Sequence, residues 1–265
     1  MWDELRAALR AESLKALRSR LPWVTVGAIT LAALVSAFFM FVLQNPERAR
    51  SMGLLGDKAQ LGSATADWAG YLSLAAQVVA VGGLIVFGII DIWLFGREFA
   101  EHTAKDLLAL PTSRTAIVVA KHVVGLVWCL ALTVLLLGLV LALGAALGLP
   151  GWSGRTALTG AGVLLLAGAL TSALVSVYGL AASAGRGYLP AVGVLFLTVL
   201  VAQVVAVIGY GAWFPWSVPS LIAGAGGPEQ PQPGAVGVLM VVVVAVGAGG
   251  ATAVWWERAD QGAQA

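Results

Sequence analysis

The sequence predicts an all-α polytopic membrane protein: six transmembrane helices, an N-terminal interfacial helix, and a short helix in the polar loop between spans 2 and 3. Three observations carry this. Apolar residues make up 60% of the chain against 11% charged, a balance foreign to soluble domains. Several apolar runs exceed the roughly 18 residues that a helix needs to cross hydrocarbon. The polar stretches between them leave six such runs, and a helix is the one open-chain structure that satisfies its own backbone inside lipid.

Residues 1–21 form the interfacial element. Trp2, Leu5 and Leu9 share one helical face and Leu14, Leu17 and Leu21 another, with Arg6, Arg10, Lys15, Arg18 and Arg20 around them. Lysine and arginine stems on such a helix reach toward anionic headgroups, so membrane lipid is an expected partner. The segment lacks the pattern of a signal peptide, and the first apolar run is expected to stay in the mature protein. That run, 22–43, opens on Pro22 and Trp23, a helix start at an interface.

The second span is placed over 68–95 and carries Asp91, the one acid inside a hydrophobic run. Asp91 either pairs with Arg97 as a gate or lies near the headgroups. The apolar-rich run 115–149 would exceed about 50 Å as one helix, against roughly 30 Å of hydrocarbon. Lys121 and His122 mark the part that stands outside, so this helix is predicted to begin near Arg114 and to enter lipid around Val123. The remaining spans are 156–184, 189–210 and 235–256, with a tight return at Gly185, Arg186 and Gly187. Residues 211–234 contain Trp213, Phe214, Pro215, Trp216 and Pro219, which suits an interfacial or short re-entrant segment. Residues 22–256 therefore make one transmembrane domain, followed by a tail, 257–265. Gly144 and Gly148 form a G-x-x-x-G that permits close helix contact.

Of 15 lysines and arginines, Arg48, Arg50, Lys58 and Arg155 fall on one face and the other eleven on the opposite face. The positive-inside rule then places both termini and the 97–114 loop in the cytoplasm of a multi-pass plasma-membrane protein.

That loop has a definite pattern. Thr103 followed by Asp106 has capping-box spacing, Ala104–Leu110 favours helix, and Pro111 ends it after about two turns. Leu107, Leu108 and Leu110 put apolar side chains on a short aqueous helix. The membrane surface, the protein's own helices or a partner must cover them. Ser113 can cap the helix that follows, which makes the corner stiff.

At these positions the chain resembles the membrane subunits of type-2 ABC exporters, of the bacitracin-efflux and sodium-efflux kind. Glu98, Thr103, Leu107, Leu108, Pro111, Ser113, Arg114 and Lys121 stand where that family's loop after the second span has a glutamate, a threonine, a leucine pair, Pro-x-Ser-Arg and a lysine. His102 stands where a small residue, often glycine, is usual. The resemblance implies that 104–110 is a coupling helix gripped by separate cytoplasmic P-loop ATPase subunits, which would hold ATP and Mg. It also implies a second permease copy or a similar permease, and roles for Glu98 and Arg114 as polar anchors against the ATPase.

The residues themselves exclude more than they assign. H-E-x-x-H, G-x-S-x-G and any Gly-Lys pair are missing from the sequence, so a nucleotide would have to be bound by another chain. His102 and His122 have no partners at ligand spacing, and neither a metal nor a cofactor is expected in this chain. The single cysteine, Cys129, cannot form an internal disulfide. A net charge of +2 without a basic stripe argues against nucleic acid. Two other classes stay open: a self-contained channel or secondary carrier with Asp91 and Gln203 in its pathway, and a non-transporting membrane assembly protein. Co-purification of a P-loop ATPase separates the permease reading from both.

Overall fold

The computed structural model describes residues 2–45, 47, 65–103, 112–227 and 232–258. Among them every regular element is a helix. These are α1 (Trp2–Arg18), α2 (Leu21–Gln44), α3 (Trp68–Ala100), α4 (Arg114–Ala146), α5 (Gly154–Leu174), α6 (Ser176–Ala184), α7 (Tyr188–Val207), α8 (Val218–Ile222) and α9 (Ala235–Arg258). Six helical stretches are long and apolar enough to cross a membrane: α2, α3, α4, α5 together with α6, α7 and α9.

The bundle is built around α3, which packs against α2, α4, α5, α6 and α7. Its Tyr71, Leu72, Phe87, Ile90 and Phe95 are fully buried. The outer helices keep Leu31, Phe196 and Val243 exposed, as expected where the surrounding solvent is lipid and a helix can be apolar all round. Small residues let the helices close on one another: a Cβ on Gly144 would stand 2.6 Å from the Trp68 ring. Gly148 is different. It has φ +62 and closes α4, with Leu149 N–H bonded to Gly144 O and Gly148 N–H to Ala145 O. The G-x-x-x-G pair is thus one packing glycine and one turn glycine, because a left-handed residue ends the helix between them and the next strand of chain.

The largest departures from the sequence reading are in spans 2 and 4. Span 2 continues through Ala100, past Phe95, because Arg97 and Glu101 pair at i, i+4 (3.2 Å) and the Arg97 guanidinium lies 5.1 Å over the Trp93 ring. Span 4 breaks at Val175 between α5 and α6. No glycine or proline marks this break; Ser176 Oγ reaches Ala173 O (2.8 Å) and, on α9, Ala245 O (3.3 Å), a competition with the backbone ladder that bends helices.

After α7 the chain turns back between the spans. Two 3-10 turns, Gly211–Trp213 and Pro215–Ser217, lead into α8. Ser217 Oγ donates to Ala202 O at 2.9 Å, Ala223 O accepts from Ser73 Oγ and Gln77 Nε2, and Val218 packs with Leu170, Leu174 and Val241. Five residues of helix with such partners sit inside the bundle, not flat along its edge. At the opposite end, α1 packs along α4, and the end of α9 meets the start of α4.

Candidate functional site

The two flanks of the 97–114 loop are described, whereas 104–111, with Leu107, Leu108 and Pro111, lies outside the described residues. The capping-box and two-turn expectations fall on that segment. What the structure gives is how the loop is rooted.

On the incoming side α3 ends in a Schellman turn: Thr103 N–H bonds to Glu98 O at 2.9 Å and His102 N–H to Phe99 O at 3.3 Å. His102 occupies the left-handed position of that turn, φ +57. This is the conformation a glycine takes without steric cost, so the departure of His102 from the usual small residue keeps the same geometry.

Glu98 faces inward. It is 3% exposed, as is Glu12 of α1, and Lys121 of α4 is 1% exposed. Lys121 Nζ donates to Glu12 Oε2 (3.0 Å), Glu98 Oε1 (3.1 Å) and Leu94 O (2.7 Å). Three ammonium hydrogens thereby meet three acceptors, which is what lets a lysine sit in the interior. Lys15 Nζ donates to Glu12 Oε1 (2.8 Å) and Glu98 Oε1 (2.9 Å), and Thr103 Oγ1 donates to Glu98 Oε2 (2.8 Å). Two carboxylates and two ammoniums sum to zero charge and join α1, α3, α4 and Thr103 of the loop. Burial pulls the Lys15 pKa down, but Glu12 and Glu98 outweigh it and hold the ammonium above its ordinary 10.5.

Two expectations change here. Lys121 does not stand in water to mark the aqueous part of α4; it is buried because α1 brings Glu12 to it. Glu98 is not presented as an outward anchor, since its carboxylate is spent on Lys15, Lys121 and Thr103.

On the outgoing side Ser113 caps α4, its Oγ accepting from Ala116 N–H at 3.2 Å. Arg114 Nη1 donates to Trp256 O (3.1 Å) and Glu257 O (3.2 Å), and Thr115 Oγ1 bonds the Glu257 carboxylate. A guanidinium on the last carbonyls of α9 also meets the negative end of its dipole. Trp256 is fully buried and donates through Nε1 to Ser183 Oγ at 2.9 Å. Phe99, on the incoming side, stacks edgewise on Trp255 and Trp256 with centroids 5.8 and 5.9 Å apart. Both roots of the loop therefore touch the end of the last span.

Asp91 and Gln203 belong to different places. Asp91 is buried against Gly125 and Gly179, 4.0 Å from His122 Nδ1, while Arg97 pairs with Glu101. Gln203 is exposed on α7, beside Ala80 and Leu84 of α3. Seven to eleven residues of helix separate those positions from Asp91, roughly 10–16 Å. The structure brings neither into the loop's roots.

Glu12, Lys15, Trp256 and Glu257 are the residues that sequence reasoning missed. Glu12 and Lys15 carry a signal, an i, i+3 pair on an otherwise leucine- and arginine-bearing helix, but nothing in one sequence says which helix they face.

The family model described as ABC-2 family transporter protein matches residues 8–203, a stretch that takes in Glu12, Lys15, Glu98, Arg114 and Lys121. The chain is also similar to the bacitracin transport permease protein BCRB of Bacillus licheniformis, 33% identical over 155 residues that make up 58% of this chain and 74% of the relative. With the family model covering well over half of a six-span helical chain, this protein belongs to the ABC-2 family of transporter proteins, as a multi-pass permease.

Proposed function

We propose that this permease is the membrane subunit of an exporter driven by separate P-loop ATPase subunits, which bind ATP and Mg and grip the 104–110 segment through Leu107 and Leu108. A second permease, identical or similar, completes the unit. The loop and both termini face the cytoplasm of the plasma membrane, the orientation that the basic asymmetry of the sequence favours.

The observation that carries this reading is the double rooting of the loop. The incoming root is bound to α1 and α4 through the buried charges, and the outgoing root to α9 through Arg114. A slack connector needs neither. A segment fixed at both ends to four helices passes a push on its tip into the bundle, and closure of the ATPases supplies that push. Glu98 and Arg114 act here as internal fasteners, with the leucine pair as the external contact. The relative's cargo, bacitracin, makes a peptide antibiotic the first substrate to assay.

The experiment is replacement of Leu107 and Leu108 together by Asp, with the complex purified through a tag on the permease. Loss of the ATPase with intact membrane insertion supports the reading. Retention of the ATPase in full assigns the leucines to the lipid surface.

A further inference from the structure

An apolar groove of about 370 Å³ runs beneath α1. Leu9, Ser13 and Leu17 of α1 form one wall, and Val123, Val127 and Trp128 of α4 the other. Pro22, at the start of α2, lines one end. The groove thus lies where the first span begins and where α4 passes into its uninterrupted apolar stretch. It opens sideways: Leu17 is 73% exposed and Val127 61%. In a bilayer the medium on that side is lipid, and a dry slot there is filled by hydrocarbon.

Charge close in the chain to the lining residues specifies the lipid further. Arg10 shares the helical face of Ser13 and Leu17, at i+3 and i+7 spacing, and Arg20 lies two residues before Pro22. Both are exposed, and neither has an ion pair among the described residues. The other basic side chain of α1 nearest the core, Lys15, is taken up by Glu12 and Glu98. Two uncommitted guanidiniums beside an apolar slot match an anionic headgroup with its tail.

We propose that this groove binds a phospholipid with an anionic headgroup, one acyl chain lying between α1 and α4 and the phosphate against Arg10 and Arg20. The adjoining face of α1 is fixed to the bundle by Glu12 and Lys15, so the bound lipid holds the side that would otherwise stay open. It thereby secures the helix that neutralises Glu98 at the root of the loop. This inference requires only that the chain sits in a bilayer and is independent of the ATPase reading.

The test is native mass spectrometry of the purified full chain titrated with phosphatidylglycerol or phosphatidylcholine of equal chain length. Wild type should bind one phosphatidylglycerol in preference to phosphatidylcholine. Arg10→Gln with Arg20→Gln should weaken phosphatidylglycerol on the order of 30-fold, from two juxtamembrane charges, and leave phosphatidylcholine unchanged. Ala131→Trp, at an exposed position lining the groove, should abolish the tight site, and Ser13→Trp should do so from the facing wall. Equal binding of the two lipids by wild type overturns the charge selection. Undiminished phosphatidylglycerol binding in both tryptophan variants, with wild-type helicity, overturns the groove as its seat.

Discussion

Arg114 and Trp256, 142 residues apart in the chain, are joined by a 3.1 Å hydrogen bond from the guanidinium to the backbone carbonyl. This bond, with its companion to Glu257 O, fastens the start of α4 to the end of the last span. Replacing Arg114 by Ala removes two charge-assisted bonds, each worth about 1.5–3 kcal/mol at most where partly buried. The expected outcome is a complex that still assembles but transports poorly. ATP hydrolysis and cargo efflux are measured side by side in reconstituted vesicles; hydrolysis retained with efflux several-fold reduced is the prediction.

The four buried charges should behave as a unit. Lys121→Met leaves Glu12 and Glu98 to share Lys15 alone, and breaking one partner of a buried ionic cluster typically costs about 3–5 kcal/mol. Thermal unfolding of the purified protein should show a large drop. Adding Glu12→Gln to Lys121→Met removes the excess negative charge and should restore part of the loss, so the two substitutions are non-additive. Strict additivity would mean that the cluster is not coupled.

His102 gives a prediction of opposite sign. A non-glycine residue in the left-handed region costs about 1–2 kcal/mol, and His102 sits there at φ +57. His102→Gly should therefore raise the unfolding temperature modestly, and His102→Val, whose branched side chain resists that conformation, should lower it. The two variants bracket wild type if the turn is as described.

Orientation is read by cysteine labelling. Cys129 is buried, so single cysteines can be placed in a Cys129→Ala background. Cysteines at Ser63 and Gln230 should react with an impermeant reagent from outside the cell, and those at Ser19 and Ala104 should not.

How much of this was legible beforehand depends on the range of the interaction involved. The spans were, because length and apolarity are properties of a contiguous stretch. The overlong α4 beginning at Arg114 was legible for the same reason, as Ser113 and the run behind it are local. The extension of α3 through Ala100 was within reach, since Arg97 and Glu101 stand at i, i+4. The inward turn of Glu98 was not. A glutamate in a polar stretch looks solvated until α1 is known to bring Lys15 against it from 83 residues away, and Lys121 looked like an aqueous marker until Glu12 was known to reach it. The break at Val175 had no glycine or proline to announce it, only a serine whose second acceptor lies on α9. Of the loop residues, Thr103, Ser113 and Arg114 have assigned partners in the structure, whereas Leu107, Leu108 and Pro111 lie outside its described part.

The claim on which the account turns is that Leu108 touches an ATPase. A photo-crosslinking amino acid placed at Leu108 in cells, followed by irradiation, denaturing purification through the permease tag and mass spectrometry, reads that contact directly. The account predicts a covalent adduct with a P-loop ATPase, lost when Leu107 is also changed to Asp. An adduct confined to lipid or to the permease itself, with the same yield in the Leu107→Asp variant, would contradict it.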